Sequence, residues 1–224
     1  ILALWLASPF LAWWISRPFA RRTAALNADQ TRFLRGVSRR TWAFFETFVG
    51  PLDHWLPPDN WQASRAEAIA HRTSPTNMGL SVLANLAAWD FGYIPAGQLI
   101  ARTEASLGAM NGLERYRGHF YNWYDTLTLL PLLPQYISTV DSGNLAGHLL
   151  TLRAGLIALP DEPAVDARVF HGFDDTLRLV EQTRVSSAKG FAELRRALDL
   201  ALSPPAAVTL RFFAEHLTDL ARGA

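Results

Sequence analysis

The segment over residues 117–125 carries the most chemically suggestive mixture of side chains in the chain. It combines four aromatic residues with an asparagine and an acid, and a second acid and asparagine follow at Asp141 and Asn144. Aromatic rings pack against the flat C–H faces of sugars, while carboxylates and amides hydrogen-bond sugar hydroxyls. The segment therefore suits carbohydrate binding, although a polar loop closed by aromatic packing would have the same composition.

Trp123 stands out among the tryptophans because Asn122, Tyr124 and Asp125 flank it in the sequence. These neighbours suit a surface that faces a glycan, so we predict that Trp123 and Tyr124 bind substrate. Other tryptophans are expected to pack in the core or at interfaces, and they are Trp42, Trp55, Trp61 and Trp89.

Asp125 and Asp141 could form the carboxylate pair of glycoside chemistry. Such carboxylates lie about 5 Å apart in retaining enzymes and about 6.5–9.5 Å apart in inverting ones. Both residues also have simpler interpretations, since Asp141 could cap a helix that starts near Asn144 and Asp125 could accept hydrogen bonds from loop amides. They are therefore weak catalytic candidates, and together with Asn144 they are predicted to bind substrate.

A predicted helix start near residue 75 offers a second set of polar side chains. Ser74 followed by Pro75 is typical of a helix N-terminus, and Arg72 and Asn77 flank this pair. Unpaired backbone amides at such an end favour polar or anionic ligands. We predict that Arg72 and Asn77 bind sugar hydroxyls, while pairing of Arg72 with a neighbouring acid explains its position equally well.

The composition argues against several classes of function. A net charge of +1 lacks the basic excess that phosphate contacts require, so no nucleic-acid partner is expected. The absence of cysteine excludes disulfides, thiolate metal sites and cysteine nucleophiles. The histidines show no metal-ligand spacing, and zinc-protease, P-loop and dinucleotide motifs are absent from the sequence, so neither a metal nor a cofactor is expected.

The 224 residues, 50% of them hydrophobic, suffice for one domain with a substantial core. Apolar residues recur at helical spacing rather than with the alternation of a strand. Helices are predicted over residues 33–48, 75–91, 99–113, 141–160, 173–185, 187–202 and 205–222. Asn27 or Asp29 is available to cap the first of them, and Gly92 is a plausible stop. The predicted fold class is all-α.

Residues 1–16 are predicted to be the C-terminal part of a transmembrane helix. The segment has no charge and contains the paired Trp13 and Trp14. At about 1.5 Å per residue it spans about 24 Å, less than the hydrocarbon core of about 30 Å. Interfacial tryptophans followed by arginines mark a cytoplasmic boundary, and a buried helix is the alternative. Residues 17–26 then form a basic juxtamembrane linker before a domain over residues 27–224.

Several motifs, in one order and spacing, resemble the cyclic β-1,2-glucan synthases, which are large bacterial inner-membrane enzymes. The motifs lie over residues 56–61, 71–80, 90–94, 117–125 and 136–148. The resemblance covers roughly residues 1–155 and falls at the start of the central, glycoamylase-like domain of these synthases. It implies a partial α/α barrel, with about half of the barrel present, preceded by the end of a transmembrane helix.

The resemblance also implies a function on β-1,2-glucan. The central domain resembles a transglycosylase that adjusts or closes linear β-1,2-glucan through a covalent glycosyl-enzyme, with retention of configuration. In glycoamylase-like enzymes the catalytic acids usually lie on later barrel loops, so the main catalytic residues are expected beyond residue 224. Two alternatives stay open, a non-catalytic, membrane-proximal scaffold that binds glucan and a β-1,2-glucan hydrolase.

The implied location is the bacterial inner membrane, with residues 17–224 on the cytoplasmic side. The implied partners are β-1,2-glucan, the lipid bilayer through residues 1–16, and the glycosyltransferase and phosphorylase-like domains of the same polypeptide. Half a barrel would leave apolar inner faces exposed, so the isolated chain is expected to be poorly folded or to self-associate, and to be inactive alone.

Overall fold

A computed structural model describes residues 2–17, 25–66, 68–163, 166–182, 189–203 and 210–223. The chain divides into two compact units, residues 1–33 and residues 34–224, and each is described by itself. Most of the predicted linker over residues 17–26 lies outside the described residues. The predicted starts of the last two helices, at residues 187 and 205, also lie outside them.

The first unit contains helix α1, over Leu2–Ile15. Every residue of α1 is exposed, including its large apolar side chains. After its end, the Arg17 guanidinium lies 4.2 Å from the centroid of the Trp13 ring. Among the residues that the structure describes, no helix is both long enough and apolar enough to cross a membrane.

The longer elements of the chain are helical, as the apolar spacing predicts. They are α2 (Ala28–Phe48), α3 (Pro75–Asp90), α4 (Ala96–Gly112), α5 (Thr139–Ala158), α6 (Arg168–Gln182), α7 (Lys189–Ala201) and α8 (Leu210–Gly223). Short strands form two antiparallel pairs. Strand β1 (Arg72–Thr73) pairs with β4 (Tyr124–Asp125), and β2 (Arg115–Tyr116) pairs with β3 (His119–Phe120). The predicted all-α class is therefore correct for most of the chain, and it misses strands too short to show any alternation.

Local side chains set the helix ends where the sequence predicts them. Asn27 caps α2, because its Oδ1 accepts a hydrogen bond at 2.8 Å from an amide of the first turn. Ser74 caps α3, since its Oγ accepts a hydrogen bond from the Asn77 amide at 3.2 Å. Gly92 follows α3 with a φ of 79°, a conformation that glycine adopts without strain.

Helices α3 and α5 lie side by side and run in the same direction. Near their N-termini, Thr76 donates a hydrogen bond to Asp141 at 2.5 Å. One turn further along, Gly79 packs against His148, and near the C-terminus of α5 Gly155 packs against α3. A Cβ atom at Gly79 would overlap the His148 side chain, and one at Gly155 would overlap the end of the Leu86 side chain, so these glycines let the opposing side chains pack closely. Both helix N-termini therefore meet at one end, where the predicted polar residues lie.

The described part of the second unit contains three clusters of buried apolar residues. The cluster beneath the 117–125 segment contains Leu56, Met78, Met110, Leu113, Tyr124 and Leu145. A second cluster lies where the C-terminus of α3 and the N-terminus of α4 pack against α2. It contains Trp42, Ala88, Ile94 and Leu99. A cluster among α6, α7 and α8 contains Phe170, Leu177, Leu198, Ala201 and Leu220. The last three helices thus have a core of their own.

Backbone contact and a partly buried ion pair join α6 to the earlier helices. Gly92 and Gly172 allow the connection after α3 to approach α6 so closely that a side chain on either residue would overlap backbone atoms. Arg35 on α2 forms an ion pair at 2.8 Å with Asp175, which is only 5% exposed. The Tyr93 hydroxyl donates to the same carboxylate at 3.1 Å.

Candidate functional site

The short β1–β4 ladder brings the two predicted polar segments together. Arg72 lies opposite Asp125, and Thr73 lies opposite Tyr124, in antiparallel register. Paired strands lie about 4.7–4.9 Å apart. The start of α3 and the 117–125 segment therefore form one continuous surface, although some fifty residues separate them in sequence.

A buried carboxylate, that of Asp53, is hydrogen-bonded to residues next to both strands of this ladder. Asp53 is 4% exposed and accepts hydrogen bonds from the Thr126 hydroxyl and from His71, whose Nδ1 lies 2.7 Å away. The Thr126 carbonyl in turn lies 2.9 Å from Nδ1 of His54. Since His71 precedes β1 and Thr126 follows β4, the hydrogen bonds to Asp53 link the two strands through one carboxylate.

Asp59 holds the polar side chains at the start of α3. Arg72 donates to Asp59 Oδ2 from Nε at 3.2 Å and from Nη2 at 3.0 Å, and Asn77 Nδ2 donates to Oδ1 at 3.2 Å. The Arg72 guanidinium also lies 4.9 Å from the centroid of the Trp123 ring. Arg72 thus pairs with a neighbouring acid, as one interpretation of the sequence expects, and its side chain stays 51% exposed. Asp59 was not predicted as a site residue, because its role depends on contacts distant in sequence.

Asn122 connects the aromatic residues to α5. In the amide orientation that satisfies its neighbours, Nδ2 donates to Asp141 Oδ2 at 3.0 Å. Its Oδ1 accepts hydrogen bonds from Trp123 Nε1 at 2.6 Å and from the Tyr136 hydroxyl at 2.7 Å. Asn122 is 6% exposed, so this network fixes the orientation of the Trp123 ring. Asn122 and Tyr136 both lie within the motifs that resemble the cyclic β-1,2-glucan synthases. The sequence does not reveal that they contact each other.

Asp141 lies in the first turn of α5 without capping it. Ser138 is the cap, and its Oγ accepts a hydrogen bond from the Asp141 amide at 3.1 Å. The Asp141 carboxylate instead accepts from the Thr76 hydroxyl on α3, and Asn144 Nδ2 donates to that hydroxyl oxygen at 3.1 Å. The capping interpretation of Asp141 is therefore wrong, because Ser138 occupies the cap position three residues earlier. The carboxylate lies where the helix dipole favours negative charge.

Asp125 braces its own loop, as the simpler interpretation of the sequence expects. Its Oδ1 accepts hydrogen bonds from the amides of Leu127 at 2.9 Å and Thr128 at 2.7 Å. Partial burial would raise the pKa of Asp125, but the bonds from Thr128 and Leu127 and the nearby His71 ring outweigh it and lower this pKa. A general acid needs the opposite shift, so the geometry does not favour Asp125 in that role.

Tyr124 was predicted to bind substrate, and the structure instead places its side chain in the core. The residue is fully buried, and its hydroxyl donates to the Glu114 carbonyl at 2.7 Å and accepts from the Tyr121 amide at 2.8 Å. Burial raises the pKa of Tyr124, so the phenol stays a neutral donor. Strand alternation explains the difference, since neighbouring residues of β4 face opposite ways and Asp125 takes the outward position.

The remaining polar and aromatic residues form one surface at the N-terminal ends of α3 and α5, named the Trp123 surface here. It consists of Asp59, Arg72, Thr76, Asn77, Asn122, Trp123, Tyr136, Asp141 and Asn144. It offers hydrogen-bond donors, acceptors and an aromatic ring in fixed positions. Within the described ranges, no group of three or more histidines and acids is placed to hold a metal ion.

The cyclic β-(1,2)-glucan synthase NdvB of Rhizobium meliloti strain 1021 is 41% identical to this chain over 150 residues. The match includes 66% of this chain and 5% of that protein, so the chain spans only a small part of the relative. This identity confirms the resemblance to the cyclic β-1,2-glucan synthases. A scan against protein-family models finds no match.

Two solved structures of glucoamylase-like proteins are also similar to the chain. One, from Bacteroides fragilis NCTC 9343, has a TM-score of 0.46 and 20% identity, and the match covers 60% of this chain and 32% of that one. The other, from Bacteroides caccae ATCC 43185, has a TM-score of 0.48 and 17% identity, with 71% of this chain and 40% of that one covered.

Proposed function

We propose that this chain holds β-1,2-glucan within the part of a cyclic β-1,2-glucan synthase that acts on the glucan chain. The observation that carries the proposal is the Trp123 surface, where an aromatic ring, a guanidinium and side-chain amides converge at two parallel helix N-termini. The identity to NdvB supports β-1,2-glucan as the ligand class.

The proposed binding mode follows from the contacts of the Trp123 surface. The Trp123 ring packs against a sugar face, while the exposed Arg72 guanidinium and the Asn144 amide meet hydroxyl groups. Asn122 already holds the Trp123 ring, Asp59 the Arg72 guanidinium, and Thr76 the Asn144 amide, so little side-chain entropy is lost when the glucan binds.

The reaction we propose for the synthase region is retaining transglycosylation. It passes through a covalent glycosyl-enzyme, which a sugar hydroxyl attacks in place of water. Asp125 is bound to loop amides and has a lowered pKa, and Asp141 accepts hydrogen bonds from Thr76 and Asn122. We therefore assign both carboxylates to positioning, and the catalytic pair to other residues of the synthase.

A non-catalytic glucan scaffold is the second candidate. It is favoured because the lowered pKa of Asp125 does not suit a general acid and both oxygens of Asp141 accept hydrogen bonds from other side chains. Product analysis after incubation with linear β-1,2-glucan separates the possibilities. Cyclic product supports transglycosylation, shortened linear product supports hydrolysis, and binding without turnover supports the scaffold.

The proposed architecture for residues 27–224 is part of a glycoamylase-like α/α barrel. The parallel α3 and α5, joined through α4, support it, since alternate helices of such a barrel run in the same direction. In this arrangement the ends of α3 and α5 that carry the Trp123 surface belong to the rim that faces substrate.

We also propose that residues 1–16 are the end of a membrane-spanning segment, with residues 17–224 on the cytoplasmic side of the inner membrane. The uncharged, exposed α1 and the contact of Arg17 with Trp13 support this placement. Membrane fractionation with and without residues 1–16 tests it, and equal solubility of both forms without detergent would contradict it.

Titration calorimetry with linear β-1,2-glucan tests the binding proposal. The Trp123→Ala variant should bind about fivefold more weakly, the loss expected for one stacked aromatic contact. Trp89→Ala is the matched control, because Trp89 also packs on an arginine, with Arg168 4.3 Å from its ring centroid. Trp89 lies about 18 Å further along α3 than Asn77. Equal affinities of wild type and Trp123→Ala would contradict the proposal.

A further inference from the structure

We propose that the outward face of α5 is a self-association surface, through which two copies of this chain form an antiparallel dimer. This face is a stripe of apolar residues, named the α5 stripe here. It consists of Val140, Gly143, Gly147, Leu150, Ala154 and Ile157. The dimer goes beyond glucan binding and does not depend on it.

The α5 stripe is exposed along the whole helix. Its three large side chains, Val140, Leu150 and Ile157, are 70%, 69% and 58% exposed. Its two glycines have open space around them, since a Cβ atom at Gly143 or Gly147 would meet no atom within 4 Å. A run of exposed apolar side chains along one helix face marks an interaction surface.

The α5 stripe lies opposite the face of α5 that packs in the core. On that core face Leu145 and Leu152 are buried, and His148 and Gly155 pack against α3. At about 3.6 residues per turn, the stripe residues lie on the other side of the helix. A helix that is apolar on both sides is normally buried on both. Within the described part of the chain, α5 therefore lacks a partner on its outward face.

The residues of the α5 stripe recur at alternating steps of three and four positions. This is the spacing of helices that pack against each other along a narrow line of contact. From residue 140 to residue 157 the stripe is about 26 Å long, at about 1.5 Å per residue. Its length and shape therefore suit another helix rather than a compact ligand.

The order of large and small residues makes the α5 stripe complementary to its own reverse. In an antiparallel pair centred at the middle of the stripe, each facing pair occurs twice because of the two-fold axis. The facing pairs are Leu150 with Gly147, Val140 with Ile157, and Gly143 with Ala154. Leu150 of one copy thus fills the space over Gly147 of the other. In a parallel pair equal residues would face each other, so glycine would face glycine and leave a gap.

The charges beside the α5 stripe do not oppose this contact. Arg153 is the one charged residue that flanks the stripe on α5, a helix that the structure describes in full. In the antiparallel pair it lies beside Ala146 of the second copy, and the two arginines are about 14 Å apart along the helix axes. Salt screens most of their repulsion at that distance.

The size of the α5 stripe predicts a weak and reversible dimer. Stable interfaces bury about 1,200–2,000 Å² in total, and contact along a single helix falls at or below the low end of this range. We therefore expect dimers at about 100 µM protein and monomers after dilution to about 1 µM.

Analytical ultracentrifugation of the whole chain, in a detergent that covers the exposed α1, tests the surface. Leu150→Glu removes an apolar contact from both copies and brings two acids close together, so the dimer should weaken at least about tenfold. Ile100→Glu is the matched control, because Ile100 is also an apolar helical residue, 51% exposed, and lies on α4. Its dimer should form as in wild type. Circular dichroism melts establish that each variant is folded.

Two results would overturn the proposal. One is a wild-type chain that stays monomeric over this concentration range, as expected of a face that is reserved for another part of the synthase. The other is self-association that Leu150→Glu leaves unchanged or that Ile100→Glu weakens equally, since association would then use a different surface.

Cysteine cross-linking tests the antiparallel orientation, and the absence of native cysteine makes the readout specific. An equimolar mixture of Gly143→Cys and Ala154→Cys chains should form a disulfide between the two variants, because these positions face each other. Either variant alone places its two cysteines about 16 Å apart along the helix axes, too far for a disulfide. Equal cross-linking of either variant alone, or none in the mixture, would overturn the antiparallel dimer.

Discussion

Two groups of the same composition, an arginine, an aspartate and an aromatic residue, lie in different surroundings in this chain. The Arg72 group consists of Arg72, Asp59 and Trp123, and the Arg35 group consists of Arg35, Asp175 and Tyr93. The Arg72 and Asp59 side chains are 51% and 20% exposed, whereas those of Arg35 and Asp175 are 26% and 5% exposed. The two groups therefore share residue types and differ in burial, and we assign ligand binding to the more exposed Arg72 group.

The Arg35 group connects three separate elements. Arg35 binds Asp175 on α6 and donates to the Phe91 carbonyl at 3.2 Å, and the Tyr93 hydroxyl completes the contacts of the carboxylate. Burial, with a further contribution from Asp175, raises the pKa of Tyr93, so its hydroxyl remains a neutral donor. Removing one partner would leave a buried charge without its counterion, which is costly.

The Arg72 group has a different energetic role. An exposed ion pair adds only about 0.2–1 kcal/mol to stability, because water screens both charges and the side chains lose freedom. Its exposed guanidinium can exchange water for sugar hydroxyls at little cost to the fold. We therefore expect substitutions in the Arg72 group to change binding, and those in the Arg35 group to change stability.

The largest expected effect is on stability in Arg35→Ala. Truncation leaves the buried Asp175 without its counterion, with only the Tyr93 hydroxyl still donating to it, and the free energy of unfolding should fall by about 3 kcal/mol. The matched Arg72→Ala variant should lose less than about 1 kcal/mol. Urea denaturation of both variants measures the difference. Similar losses in the two variants would remove the distinction between the groups.

The sequence predicts those parts of the structure that depend on near neighbours. The Ser74 cap and the Gly92 stop follow from local spacing, because the groups that cap a helix lie within four residues of its end. The capping interpretation of Asp141 is wrong, although the residue that caps the helix, Ser138, lies only three positions earlier. Tyr124 was predicted to bind substrate and is buried instead, because its orientation depends on the pairing with strand β1, which is distant in sequence.

The Arg35 group also cannot be predicted from local sequence. Its members lie at positions 35, 93 and 175, and no local pattern links them. The β1–β4 pairing of Arg72 with Asp125 is equally remote. The composition of residues 117–125 therefore predicts a polar and aromatic surface, and the long-range pairing determines which of its side chains face outward.

A smaller effect is expected from acidification beside the Arg72 group. The folded-state pKa of Asp125 is lowered, so its contribution to stability is complete above the ordinary carboxyl pKa of about 3.9. That contribution is lost as the pH falls through the lower folded-state pKa. It should be less than about 1 kcal/mol, because Asp125 is partly exposed and solvent screens it.

Thermal melts of wild type and Asp125→Asn between pH 6 and pH 2 measure this effect. The asparagine can still accept hydrogen bonds from the loop amides but does not titrate, so the difference between the two proteins should shrink as the pH falls. A difference that stays constant over this range would show that ionisation of Asp125 does not contribute.

The most direct test of the central claim is the affinity of Arg72→Ala and Tyr93→Phe for linear β-1,2-glucan, measured by calorimetry beside wild type. Loss of the charged donor should weaken binding about tenfold in Arg72→Ala, a change of about 1.4 kcal/mol. Tyr93→Phe removes a hydroxyl from the buried Arg35 group and should bind with wild-type affinity. Failure of wild type to bind the glucan, or an equal loss of affinity in both variants, would contradict the assignment of binding to the Trp123 surface.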